Sequence, residues 1–405
     1  MEDIKTKVIE EIEKSRTEQI RFLQKLIQTP SVNPNMDDPT KSSPYDPIEL
    51  EVAELIFQKL CQIGYSPKFE GVSPSRPNVI CQIGKGKKTL IFNGHMDTVP
   101  PSQWGDYNPF LGIIKNGRLY GSGSLDMKSS LCCYVYMAQA LKKIESQLKG
   151  KICLQFVIDE EPMAASIYGT RYLIDRGYTG QAAIVGEPGT KRVTTGNKGG
   201  YRFKIEVFGD AAHTGSREWE QKQRGRNAIL EMAKVIDTLQ DFRFPTKQHP
   251  AYPGRINVLT FPTLIKGGKS INIVPDSCVA FGDTRILPGV GRDYLESEIR
   301  KKLDKLKIKY RLIPIVYVPA SFIKPEESIV KLLRQNTQEI LHKDPSTGSA
   351  GPWSDMWIFV QKGIPAVNFG CDGEGIHDKN ENVKLESVIA VTKIYALTAL
   401  DFLQS

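Results

Sequence analysis

Between Asn78 and Pro188 short apolar runs alternate with stretches of helical periodicity, and this rhythm restricts the chain to few architectures. The runs are "PNVICQIG", "KTLIFNG", "KICLQFVID" and "QAAIVGEP". Their apolar character on both faces fits strands buried in a parallel sheet. Helical patterns lie between them, from Met127 to about Leu148 and near Gly169 to Arg176. Strand, helix and strand in repetition predict an α/β layer with a largely parallel sheet flanked by helices. Upstream, Ile4, Val8, Ile12, Ile20, Leu23 and Ile27 form the apolar face of an amphipathic helix. A polar, proline-rich loop, "TPSVNPNMDDPTKSSPYDP", and a helix from about Ile48 to Ile63 follow. Such a loop is either mobile or the border of an active site.

Near Gly196 the rhythm changes. "GGYRFKIEVFGD" alternates apolar and polar residues with the period of a half-exposed strand. A helix near Asn227 to Leu239, two strand patterns ("RINVLTFPTL" and "SINIVPDSCVAFGDTRIL"), a helix near Arg292 to Leu306 and "KYRLIPIVYV" complete a β-α-β-β-α-β unit. After Pro319 the α/β style returns, with a helix at Ser328 to Leu341, the run "PAVNFG" and a last helix from Leu385. The expected organisation is a catalytic domain in two parts, 1–194 and 319–405, with a two-layer α+β domain inserted at 195–318.

A net charge of +8 raises the question of an anionic partner. The lysines are scattered over helical segments, and no nucleic-acid recognition motif accompanies them, so no nucleic-acid partner is expected. No apolar stretch reaches the length of a membrane span, and the charged first helix does not resemble a signal peptide. Seven cysteines form no CxxC pair, and several sit inside apolar runs. They read as buried free thiols of a cytoplasmic protein.

The chemistry concentrates where apolar runs end. "TLIFNG" leads through Asn93-Gly94, read as a turn, to His95 and Asp97. "CLQFVI" leads to Glu160-Glu161, "AAIV" to Glu187, and "PAVNFG" to His377. Asp126 opens the long helix. Taken singly, each has an ordinary reading: a helix cap for Asp126, solvated turns for the glutamates, hydrogen-bonded structural histidines. Together they gather at the carboxyl edge of one sheet, where open α/β sheets bind ligands, in a chain with five histidines. Imidazole nitrogens and carboxylate oxygens suit two zinc ions, which in two-metal hydrolases sit about 3.5–4 Å apart. His95 and Glu187 would serve one ion, Glu161 and His377 the other, with Asp126 between them. Glu160 would point the opposite way from Glu161 along extended chain and act as general base on a metal-bridging water. Asp97 would hold the second ring nitrogen of His95.

The motifs "GHMDTVPP", "GSGSLDMKSSL", "IDEEP" and "VGEPG", with the late His377, resemble the co-catalytic zinc amidohydrolase and exopeptidase family. That family includes acetylornithine deacetylase, succinyl-diaminopimelate desuccinylase, aminoacylases and glutamate carboxypeptidases. The resemblance spans nearly the whole chain. It implies the roles just given, a cis peptide after Asp126, and an inserted lid domain that joins two subunits in a homodimer. It also implies that His213, in "FGDAAHTGS", steadies the oxyanion in the partner's active site. Arg285, in "FGDTRILPG", and Asn272 would bind the substrate, Arg285 through its carboxylate. Ser354 and Asp355 match the family's substrate loop, but Pro352-Trp353 depart from it. The lid loop after His213 departs too, with the charged run "REWEQKQRGR". The implied activity is metal-dependent hydrolysis of an amide bond in N-acyl amino acids. A dipeptidase or carboxypeptidase with the same site is the alternative, and a non-catalytic metal-binding protein a remote one. Two zinc ions per chain are expected, with cobalt or manganese as substitutes.

Overall fold

The computed structural model describes residues 2–33, 48–101, 108–161 and 165–404. Most of the proline-rich loop, at 34–47, and Pro162 lie outside the described residues. The chain forms two compact units. The larger comprises Met1–Asn197, Phe322–Ser349 and Ser354–Ser405, the smaller Lys198–Ser321 with Ala350–Trp353.

The larger unit is built on a sheet whose centre runs Lys151–Val157, Thr89–His95, Ala182–Val185, Ala366–Asn368, all parallel. Antiparallel strands flank this centre, Asn78–Gly84 on one side and Arg192–Asn197 on the other. Every residue of Thr89–His95 is buried, which is why the run reads as continuously apolar. The helix Lys128–Lys142 packs against Glu2–Ile27 and Leu385–Gln404, and Phe92 meets the rings of Tyr134 and Tyr395.

Two local expectations are corrected here. Asn93-Gly94 is not a turn, because the strand continues through both to His95. Asn93 stays inside the sheet by donating to Gln155 Oε1 (3.2 Å) and Thr170 Oγ1 (2.8 Å). Gly94 is the seat of the neighbouring helix. A Cβ there would lie 2.5 Å from Met127 Cε and 2.7 Å from Leu131 Cδ2. The helix expected to reach Leu148 ends at Lys142. There the chain tightens into an i→i+3 bond from Ile144 N–H to Leu141 O, followed by a 3-10 turn at Glu145–Gln147.

In the smaller unit four antiparallel strands lie in the order Val258–Gly267, Ser277–Ile286, Gly199–Phe208, Tyr310–Val318. Tyr201, Phe203, Ile205 and Val207 alternate inward and pack with Met232 and Val235 of Ala228–Leu239 and Leu295 and Ile299 of Arg292–Leu303. Asn227 starts the first of these helices by accepting from Ile229 N–H (2.9 Å) and Leu230 N–H (3.3 Å). The opposite face of the sheet carries Arg202, Lys204, Asp283 and Arg285, each half-buried. Ala350–Trp353, expected in the catalytic domain, belongs to this unit. Ala350 O accepts from Lys198 N–H at 3.1 Å.

All seven cysteines are free, six of them buried. Among the described residues no helix is long and apolar enough to cross a membrane.

Candidate metal centre

The parallel strands deliver their ends to one edge of the larger unit. His95 closes Thr89–His95, Glu160 and Glu161 follow Lys151–Val157, and Glu187 follows Ala182–Val185. Asp126 precedes the helix Lys128–Lys142, and the Asp126–Met127 peptide is cis. Asp126 is not a helix cap; Met127 holds that position, and no side chain caps it.

Two groups of donor atoms form there, His95 with Asp126 and Glu187, and Asp126 with Glu161 and His377. Within each group the atoms lie within 4.8 Å of one another. Asp126 is common to both and divides its oxygens between them. Oδ1 lies 3.2 Å from His95 Nε2, and Oδ2 lies 3.2 Å from His377 Nε2. Glu161 Oε1 is 3.1 Å from the same His377 nitrogen. Glu160 belongs to neither group among the described residues.

Asp97 is adjacent to His95 in another way than expected. The ring Nδ1 of His95 meets the main-chain carbonyl of Asp97 at 2.9 Å, while the Asp97 carboxylate stands 3.7 Å away. That carboxylate accepts instead from the backbone N–H groups of Glu160 (3.3 Å) and Glu161 (3.1 Å) and from Asn33 Nδ2 (3.2 Å). Asp97 thus ties the histidine strand to the glutamate turn.

The electrostatics are those of carboxylates crowded away from water. Burial, with the neighbouring Glu187, Asp355 and Glu161, pushes the Glu160 carboxyl well above its usual range despite His95. Burial and then Asp126 do the same to Glu187. Burial opposes charge on His95, but its contact with Asp126 and the nearby Glu160 outweigh this and hold its pKa well above the ordinary value. Contacts with Asp126 and Glu161 push His377 up to about 11. Nitrogen and oxygen donors at this spacing, with excess negative charge, fit divalent cations.

The model of Peptidase family M20/M25/M40 matches residues 91–401. The chain belongs to that family. It is accordingly a hydrolytic enzyme, with the family's mixed α/β fold. Its fold is similar to the di-peptidase Dug1p from Saccharomyces cerevisiae, at TM-score 0.79 and 17% identity over 99% of each chain. Human carnosine dipeptidase 1 gives TM-score 0.78 and 16% identity, again over 99% of each chain. The M20 family metallo-carboxypeptidase Sso-CP2 from Sulfolobus solfataricus gives 0.74 and 18%, over 96% of this chain and 100% of that one.

Within this M20-family enzyme, the remaining predicted residues have the following surroundings. His213 is exposed in the smaller unit; its Nδ1 accepts from Gly215 N–H (3.1 Å), and its Nε2 lies 3.3 Å from Asn272 Nδ2. Arg285 lies on the open sheet face, where its Nε donates to Asp283 at 2.8 Å. Ser354 is buried in the larger unit. Its hydroxyl donates to Asn368 Oδ1 (2.9 Å) and accepts from Met356 N–H (3.3 Å), so it supports the helix Met356–Gln361.

Several supporting residues escape a reading of the sequence alone. Glu381 is buried and accepts backbone N–H bonds from Gly123 (2.9 Å), Leu125 (2.8 Å) and Asp126 (3.0 Å). Arg76 is fully buried, paired with Glu49 at 2.6 Å, and stands 3.6 Å from Asp159 beside the glutamate turn. Lys128 is buried with its ammonium donating to Leu26 O (3.0 Å) and Thr29 O (2.8 Å). The motif around His377 points toward Glu381, four residues later, but its partners are more than 250 residues away in sequence.

Proposed function

We propose that this M20-family enzyme hydrolyses the amide bond of a dipeptide or N-acyl amino acid bearing a free carboxylate. Two divalent ions, zinc first and cobalt or manganese as substitutes, would be held by His95, Asp126 and Glu187 and by Asp126, Glu161 and His377. The observation that carries this reading is the division of Asp126, one oxygen facing each histidine at 3.2 Å. When bound, such ions supply Lewis-acid polarisation of the scissile carbonyl and acidify water.

The chain's own residues do the rest. Glu160, outside both donor groups, takes the proton of the attacking water and returns it to the leaving amine. Burial pushes its carboxyl up, the direction that makes a carboxylate a stronger base. Asp97 holds the backbone at Glu160 and Glu161, so that base and ligand keep fixed places. His213, with Asn272 beside it, steadies the oxyanion from the partner subunit of a homodimer, and Arg285 takes the substrate carboxylate. The seven free thiols support a cytoplasmic setting.

The dipeptide arm is favoured by the full-length similarity to two dipeptidases. The test is a substrate panel on zinc-reconstituted protein: dipeptides against N-acetyl and N-succinyl amino acids, with a chelated control. Hydrolysis of dipeptides above the acyl series, lost on chelation, is expected. No hydrolysis of either class would reject the reading.

A further inference from the structure

Trp353 occupies an unusual place. It closes the segment Ala350–Trp353 and lies on the open face of the four-stranded sheet. The sheet has a gap for it at Gly200, where a Cβ would collide with the six-membered part of the indole. Gly200 pairs directly with Arg285 across the sheet, and Arg202 pairs with Asp283 one step along. The indole therefore meets two guanidinium groups, Arg202 and Arg285, each 4.5 Å from its ring centre. Both arginines also share Asp283, Arg202 Nε at 2.9 Å and Arg285 Nε at 2.8 Å.

Arg285 is thus held at two points, its Nε by a carboxylate and its guanidinium carbon over an aromatic ring. No described residue accepts a hydrogen bond from its two Nη atoms. Burial, and then the nearby charges of Arg255 and Arg285, lower the pKa of Lys198. One carboxylate, Asp283, is paired with two of these four cations. A half-buried guanidinium with its terminal fork open, in a surplus of positive charge, is arranged to receive an anion in bidentate fashion.

We infer that Trp353 is the positioning residue that aims Arg285 at the substrate carboxylate, and so sets the preference for a free carboxylate over a neutral terminus. This rests on the proposed hydrolysis of a carboxylate-bearing substrate. The aromatic ring acts through Arg285 and touches no reacting atom. This contact restrains the guanidinium before binding, which reduces the ordering required when the carboxylate arrives.

The test measures KM and kcat of zinc-reconstituted wild type, Trp353→Ala and Trp353→Phe on one dipeptide and on its C-terminal carboxamide. Wild type should prefer the free acid. Trp353→Ala should raise KM for the acid about tenfold, leave kcat within about twofold, and leave the carboxamide unchanged; Trp353→Phe should restore most of the acid's KM. An unchanged KM for the acid in Trp353→Ala overturns the inference. So does an equal loss on both substrates, which marks Trp353 as structural only. A wild type that turns over both substrates without preference overturns instead the carboxylate reading on which the inference rests.

Discussion

Removing the Glu381 carboxylate tests whether the scaffold holding Asp126 is built as described. Its Oε1 accepts from Leu125 and Asp126 N–H, and its Oε2 from Gly123 N–H, all between 2.8 and 3.0 Å. Burial pushes the carboxyl up to about 7 against the pull of these donors, so the measurement is set at pH 8, where the ionised form prevails. In Glu381→Gln the amide oxygen keeps two bonds, but the amide nitrogen faces Gly123 N–H, donor against donor. Losing one charge-assisted bond in this way costs about 2 kcal/mol. In Glu381→Ala three buried N–H groups lose their acceptor, at roughly 1–3 kcal/mol each, so roughly 3–9 kcal/mol in all. Denaturant unfolding of the chelated, metal-free protein isolates this term from metal binding. The Gln variant should lose about 2 kcal/mol, roughly 2–4 °C in Tm, and the Ala variant more. Metal affinity should fall about 10–100-fold in the Ala variant, where the Asp126 N–H loses its acceptor. An Ala variant as stable as wild type, with unchanged metal affinity, would refute the role of these three bonds.

Gly94→Ala places a methyl 2.5 Å from Met127 Cε and 2.7 Å from Leu131 Cδ2, and should cost about 1–3 kcal/mol in unfolding free energy. Wild-type stability would show that the helix is not seated there. Lys128 supplies a pH signature. Burial lowers its pKa to about 7, below its ordinary value of 10.5. Its folded pKa is depressed, so its contribution is present above pH 10.5 and lost as pH falls towards 7. The stability of metal-free wild type relative to Lys128→Met should therefore rise by roughly 2 kcal/mol between pH 7.5 and 9.5. A pH-independent difference would contradict a buried ammonium.

The sheet was legible because its central strands are buried on both faces, which leaves runs such as that ending at His95 without polar interruption. The alternation in Gly199–Phe208 was legible for the opposite reason, with one face packed and one open. The glutamates and histidines stood out because acids and rare imidazoles followed apolar runs. What stayed hidden depends on contacts distant in sequence. Asn93 reads as a turn former until Gln155 and Thr170 are placed beside its amide. Whether Asp97 meets His95 by side chain or main chain is a matter of a few ångströms, which residue order does not encode. The membership of Ala350–Trp353 in the smaller unit depends on Lys198 and Gly200, about 150 residues earlier. Glu381 carries no periodic signal, since its partners are backbone groups.

The most direct measurement is metal content and turnover of Glu160→Gln beside wild type, after zinc reconstitution and on the best substrate of the panel. Two bound ions per chain are expected in both proteins, with turnover in the variant reduced about 10²–10⁴-fold. Fewer than two ions in wild type, or a variant that turns over at the wild-type rate, would contradict a two-metal centre served by Glu160.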